Sequence, residues 1–271
     1  MHMDKLKSFE DYKEAVKRTR ALPGVTSNCF WMPSVIKSLI AEGRLYLLES
    51  PAGCLLLQEE PTFYRGCYYL SDQQEPPQPV LDRPAVIEYV FQNALSPKQQ
   101  AEIRRIEQMG FTLGRESGRM ILPADQLAPG GAAERVRMAE PGEEAVIGQL
   151  FSETFNPLYS YLPTRQELTE AIAAGRVYAV FSRNILCAAL YAQVEKQCAT
   201  IRLLAVSPSY RREGLGRQLV QFYHDSLASQ VRTFAHWVDL HNTGAIHLYQ
   251  MFGYSFDPRR ANEYILLERK L

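Results

Sequence analysis

Apolar residues recur along this chain in two rhythms, one of about 3.6 residues and one of two, and the switches between them mark the elements. Residues 8–20 have Phe9, Tyr12, Ala15 and Val16 on one side of a helix that Pro23-Gly24 breaks. Met32 to Gly43 predicts a second helix, with Pro33 in its first turn and Gly43 at its end. Arg44–Ser50 and Gly53–Glu59 read as a hairpin, and Tyr64–Leu70 as a further strand. Gln73–Pro84, with four prolines, is a loop. Ala85–Phe91 is a strand, Ser96 to Met109 a helix, and Gly110-Phe111 opens a final hairpin. The stretch 123–133, PADQLAPGGAA, has no period and reads as a linker. Beyond it come a strand at Arg135–Met138 and helices at Glu143–Phe155 and Thr164–Gly175. Three strands follow, Arg176–Ser182, Leu186–Val194 and Ala199–Val206. A helix then places Leu215, Leu219, Phe222 and Leu227 on one face, and a strand spans Thr233–Leu240. The last predicted helix starts at Asn242, a good N-cap, and puts Ala245, Leu248 and Phe252 on one face before Gly253 ends it.

The second half repeats the first in outline. Ile40-Ala-Glu-Gly-Arg-Leu-Tyr-Leu-Leu-Glu49 matches Ile172-Ala-Ala-Gly-Arg-Val-Tyr-Ala-Val-Phe181, and Gln108-Met-Gly-Phe111 matches Gln250-Met-Phe-Gly-Tyr254. The expectation is an internal duplication with domains at 1–122 and 134–271.

Composition narrows the picture by exclusion. Lysine plus arginine and aspartate plus glutamate both total 30, which argues against general affinity for nucleic acid or an anionic membrane. No apolar run approaches a bilayer span, and the first residues form no signal-peptide core, so a cytoplasmic protein is expected. The five cysteines have no metal-site or redox-motif spacing and read as buried free thiols; no metal is expected.

The chemistry concentrates between Ile201 and Leu227. A strand, a turn Arg211-Arg212-Glu213-Gly214-Leu215-Gly216 and a helix start make an anion site, because the first helical turn has N–H groups without partners. Gly214 and Gly216 let a phosphate approach the backbone, and Arg211, Arg212 and Arg217 add charge. No Gly-Lys-Ser/Thr follows, and the dinucleotide fingerprint lacks its third glycine. The turn resembles the acetyl-CoA site of the GNAT superfamily, Arg/Gln-x-x-Gly-x-Gly/Ala. Residues 242–254, with Asn242, Ala245, Leu248, Tyr249, Gly253 and Tyr254, are similar to that superfamily's second signature, Asn-x-x-Ala-x-x-Leu-Tyr-x-x-x-Gly-Phe/Tyr. The two lie about thirty residues apart in the order that family has. The resemblance is specific over residues 201–256 and architectural elsewhere.

This resemblance implies an α/β (α+β) fold of two tandem GNAT-like domains, each a mixed, mostly antiparallel sheet flanked by helices. It implies direct transfer of the acetyl group of acetyl-CoA to a primary amine of a small molecule or peptide. Leu204, Ala205 and Val206 would hydrogen-bond the pantetheine arm, and the turn Arg211, Arg212, Glu213, Gly214, Leu215, Gly216 and Arg217 would take the pyrophosphate. Asn242 would contact the cofactor, and Tyr249 would protonate the leaving thiolate. That transfer, from a phenol of pKa near 10 to a thiolate of about 8.5, is uphill by about 2 kcal/mol. Tyr249 fits a packed core ring as well, and Asn242 a plain N-cap. The position where some relatives carry a glutamate base is Trp237; His236, Asp239 and His241 flank it. Lack of an obvious base favours an amine of low pKa, or proton removal through water. Tyr159, Tyr161 and Asp239 are the candidate substrate residues. The first copy has a proline-rich loop in place of the glycine turn and Arg104-Arg105 near the Leu248-Tyr249 position, so no cofactor is expected there. Its expected role is structural, as one wall of a substrate cleft; binding through an unrelated surface is the alternative. An amino-acid N-acyltransferase of the glycine N-acyltransferase type and a CoA-binding or sensor protein without turnover are the other readings. The chain is expected to be a monomer or homodimer.

Overall fold

Ser8 and Asp11 close a reciprocal capping box, which fixes the start of helix α1 (Phe9–Arg20). The computed structural model describes residues 3–128 and 133–266 and divides the chain into two units, Met1–Glu116 with Arg260–Leu271, and Ser117–Arg259. The first unit holds β1 (Met3–Lys5), α1, β2 (Val25–Ser27), α2 (Pro33–Ala41), β3 (Leu45–Ser50), β4 (Gly53–Glu59), β5 (Tyr64–Ser71), β6 (Ala85–Gln92) and α3 (Pro97–Gln108). Strand β7 (Thr112–Pro123) starts in the first unit and ends in the second. The second unit continues with β8 (Arg137–Met138), α4 (Glu144–Thr154), α5 (Arg165–Ala173), β9 (Val177–Ser182), β10 (Ile185–Glu195), β11 (Cys198–Val206), α6 (Leu215–Leu227), β12 (Thr233–Asp239) and α7 (Thr243–Met251). In β13 (Ser255–Leu266) the residues to Arg259 belong to the second unit and the rest to the first.

In the first unit the strand order is β1-β3-β4-β5-β6, then the end of β13 and the start of β7. Leu55 and Leu57 pack on one face with Ile103 and Ile106 of α3. Cys54 and Leu56 point the other way, to Ala15 and Val16 of α1 and to Ile36 and Leu39 of α2. The strand period of two therefore supplies both faces of a three-layer unit. In the second unit the order is β7-β12-β11-β10-β9-β8. Leu215, Leu219 and Leu227 of α6 cover one face, and Ile147, Phe151 and Leu168 of α4 and α5 the other. Strands β11 and β12 run parallel, while β8 with β9, β9 with β10, β10 with β11, and β12 with β7 are antiparallel.

The element order read from periodicity appears in both halves, with three differences. Gly110-Phe111 opens no hairpin; β7 runs unbroken for 12 residues. Along it Arg115 pairs with Glu263, and Arg119 with Asp257 at 2.8 Å. Strands β1, β2 and β13 had no counterpart in the periodic pattern. Within 123–133, Ala124–Gln126 form a 3₁₀ turn, and residues 129–132 lie outside the described residues. The five cysteines are free thiols; Cys54, Cys67 and Cys187 are buried, whereas Cys29 and Cys198 are half-buried.

Candidate functional site

Strands β11 and β12 are in register for four residues, from Cys198 opposite Thr233 to Ile201 opposite His236. Beyond that point β11 runs on to Val206 and β12 to Asp239 without pairing with each other. Each remains held on its outer side, Leu204–Val206 by Leu190–Ala188 of β10 and Trp237–Asp239 by Arg119–Ser117 of β7. The sheet therefore splits between two anchored strands.

Main-chain direction along β11 shows which groups line the split. The Ser207 N–H donates to Cys187 O at 2.8 Å, so that residue faces β10. Alternation along a strand turns Val206 and Leu204 toward the split and Ala205 toward β10. A weak contact, Arg211 Nε to Val206 O at 3.4 Å, agrees with this direction. Of the three residues expected to bind an extended arm, Leu204 and Val206 present their backbone to the split. An exposed strand edge of this kind accepts an added extended chain.

Past the split the chain makes a 3₁₀ turn at Pro208–Tyr210 and enters α6. Gly214 is the N-cap of α6 with φ +75°, where a side chain is strained, and a Cβ there would meet nothing within 4 Å. The space over the helix start is thus open. Arg211, Arg212, Glu213 and Arg217 are exposed around it and Leu215 is buried. A Cβ on Gly216 would face Leu248, Leu204 and Val206 at 3.5–3.9 Å. Gly216 thus sits where α6 comes within ordinary contact distance of α7 and β11. Arg135, 78 residues away in sequence, donates to Glu213 at 2.9 Å and offsets the one negative charge in the turn.

The other wall carries α7. Asn242 Oδ1 accepts the Ala245 N–H at 3.0 Å, so Asn242 is an N-cap, a role worth about 1 kcal/mol. Tyr249 is buried, with its ring centroid 4.2 Å from that of His236 and 5.4 Å from that of Tyr254. Burial raises its phenol above the ordinary value, which keeps it protonated. His236 stands at the last paired position, and its Nδ1 lies 3.2 Å from Ile201 O. Donation to that carbonyl leaves the second ring nitrogen with the lone pair. Burial pushes His236 down to about 4, so the ring is neutral at pH 7. Asp239 Oδ1 accepts the His241 N–H at 2.8 Å and shapes the entry to α7. Trp237 is half-buried on β12.

The segment between α4 and α5 carries Tyr159, half-buried, and Tyr161, exposed. The Tyr161 hydroxyl donates to Glu167 Oε1, the acidic member of the α5 capping box. Burial pushes the Glu167 carboxyl up, but hydrogen bonds from Tyr161 and Thr164 outweigh it and hold it below the usual range. Glu167, Glu170, Arg176, Tyr191 and Gln193 line a cleft of about 270 Å³ between α5 and β10. Sequence reading missed the Arg135–Glu213 pair and this cleft, because nothing local in sequence marks either. Among the described residues no group of three or more His, Cys, Asp or Glu is placed to hold a metal ion, and no helix is long and apolar enough to cross a membrane.

His224 of α6 is 1% exposed, lies 2.9 Å from the Tyr254 hydroxyl, and is pushed down to about 4 by burial. Its folded value lies below the unfolded value of about 6.5, so the unfolded state binds the proton first as pH falls. The stability it contributes is complete above pH ~6.5 and is lost as pH falls toward 4, at up to ~1.4 kcal/mol per pH unit. Thermal unfolding from pH 7 to 4.5 is expected to show a falling Tm, less steep in His224→Gln. An equal slope in both proteins would contradict the assignment.

Residues 146–254 match the family model described as Acetyltransferase (GNAT) family. No curated protein matches the chain. Among solved structures, a GCN5-related N-acetyltransferase from Sphaerobacter thermophilus is similar at TM-score 0.58 and 15% identity, over 84% of this chain and 81% of that one. A GNAT-family acetyltransferase from Colwellia psychrerythraea is similar at TM-score 0.52 and 12% identity, over 98% of this chain and 100% of that one. A tandem GNAT protein from the clavulanic acid biosynthesis pathway is similar at TM-score 0.50 and 13% identity, over 95% of this chain and 88% of that one.

Proposed function

We propose that this chain, which carries an acetyltransferase (GNAT) domain at residues 146–254, transfers an acyl group from acyl-CoA, acetyl-CoA in the first instance, to a primary amine. The observation that supports it most is the split between β11 and β12, which leads straight into the glycine turn at the start of α6. Leu204 and Val206 offer backbone groups to the amides of the pantetheine arm. The open helix start at Gly214 with Arg211, Arg212 and Arg217 suits a pyrophosphate. These residues fit coenzyme A, whose thioester supplies the activated acyl group.

In this reading the amine nitrogen attacks the thioester carbonyl near the apex of the split. The carbon–sulfur bond breaks as Tyr249 hydrogen-bonds and protonates the leaving sulfur, and the proton that the attacking nitrogen loses passes through water and restores the phenol. His236 orients Tyr249 through ring contact at 4.2 Å. With its value at about 4, His236 is a weak base for an ammonium of pKa near 10. An α-amine of pKa about 7.7–8 is about a fifth to a third neutral at pH 7.4, a cost below ~1 kcal/mol, which favours peptide N-termini and other amines of low pKa as acceptors. Tyr159, Tyr161 and the cleft beside Glu167 are the residues proposed to meet the acceptor, with Asp239 at the far end of β12. The first unit is proposed as a domain without turnover, and the whole protein as a cytoplasmic monomer or homodimer. Amine-dependent release of free thiol from acetyl-CoA tests the proposal.

A further inference from the structure

The first unit has a split of its own. Strands β5 and β6 run parallel and pair for three residues, from Tyr64 opposite Ala85 to Gly66 opposite Ile87. Beyond that, β5 continues to Ser71 and β6 to Gln92. Among the described residues this split is filled. Strand β2 lies antiparallel against β5, with Val25 opposite Ser71, Thr26 opposite Leu70 and Ser27 opposite Tyr69. It lies on the edge that β6 has left, because β4 holds the opposite edge from Gly53–Leu70 to Glu59–Tyr64.

The hydrogen bonds show how the segment is fitted. The Tyr64 N–H donates to Pro84 O and the Ser71 N–H to Ala52 O, so even-numbered residues of β5 face β6 and β2. The Tyr68 N–H donates to Asn28 Oδ1 at 2.8 Å, and Asn28 Nδ2 donates to Glu88 O at 2.9 Å. One buried carboxamide thus bridges both strands just past their last paired residues, as a peptide group would. Farther along, Thr26 Oγ1 contacts Leu70 O at 3.5 Å, and the Asp72 N–H donates to Gly24 O at 3.1 Å. Gly24 has φ +63°, a backbone conformation that favours glycine. Arg105 of α3 donates to Ser71 O and, at 2.7 Å, to Gln74 O, which ties down the segment where the second unit has its glycine turn.

We propose that the segment Gly24–Asn28 is a built-in occupant of the first unit's cofactor-type slot, so that the chain binds a single acyl-CoA. The proposal rests on the reading of the second split as the acyl-CoA site. A pantetheine arm in the first unit would need the same Tyr68 and Leu70 backbone groups that Asn28 and β2 engage. The segment is part of the chain, so its effective concentration is of the order of millimolar or more, and a dissolved ligand competes poorly with it.

Amide hydrogen exchange on the full chain, with and without acetyl-CoA, tests this. The expected result is slow exchange at Tyr68 and Leu70 in both states, with Leu204 and Val206 fast alone and slowed tenfold or more by acetyl-CoA. In Asn28→Ala, exchange at Tyr68 is expected to speed up tenfold or more while the α1 amides stay as they were. Slowing of Tyr68 and Leu70 by acetyl-CoA, or their free exchange without it, would overturn the proposal. Protected Tyr68 and Leu70 beside Leu204 and Val206 that ignore acetyl-CoA would support the filled slot and overturn the cofactor reading alone.

Discussion

Gly214→Asp is expected to weaken acetyl-CoA binding about a hundredfold or more without unfolding the protein. Gly214 has φ +75°, and a side chain there meets nothing within 4 Å, so the cost to folding is confined to strain of about 1–2 kcal/mol. A carboxylate at the N-cap of α6 gains from the helix dipole and the unpaired N–H groups, which recovers part of that strain. The same gain makes it a built-in anion in the place proposed for the pyrophosphate. Two charge-assisted hydrogen bonds lost at about 1.5–3 kcal/mol each give at least ~3 kcal/mol, or about two decades in Kd. Gly214→Ala carries the strain without the charge and should stay within about tenfold of the unaltered protein. Calorimetric titration separates the two, and equal affinity in all three proteins would remove the glycine turn from the site.

Tyr249→Phe is expected to lower kcat about a hundredfold or more while leaving the KM for acetyl-CoA unchanged. Phenylalanine keeps the ring contacts to His236 and Tyr254, so a loss of about 1 kcal/mol or less is expected, and Tm should hold within about 4 °C. A lost proton donor typically costs about 10²–10⁴ in rate. Because burial raises the phenol, its proton moves only as negative charge builds on sulfur, so the deficit belongs to kcat. A thioester with a more acidic thiol needs less protonation, and the deficit should shrink with it. Unchanged kcat would make Tyr249 a core ring and no more.

The two signatures were legible because each combines a helix boundary with residues that have few other reasons to occur together. Gly214 must have positive φ, Asn242 caps α7, and Gly253 at φ +90° ends it. Periodicity found the helices and the strands β3 to β6 and β9 to β12, since both faces of each sheet bury apolar side chains. It missed β2, whose three residues are too few to show a period, and Asn28, whose role depends on Tyr68 and Glu88 far along the chain. It missed β13 and misread the start of β7, because there polar side chains pair across strands. The missing motifs led to the expectation of a first copy without cofactor; the segment proposed to occupy its slot, Gly24–Asn28, is placed by tertiary pairing with β5 that no local pattern marks.

Free thiol release from acetyl-CoA, measured across a panel of amino acids, peptide N-termini and alkyl amines, bears most directly on the proposed activity. The account predicts release that depends on the amine, is fastest for α-amines of low pKa, and is matched by an acylated product in the mass spectrum. Binding of acetyl-CoA and of longer acyl-CoAs without release by any amine would contradict it, and would make the chain a coenzyme A-binding module.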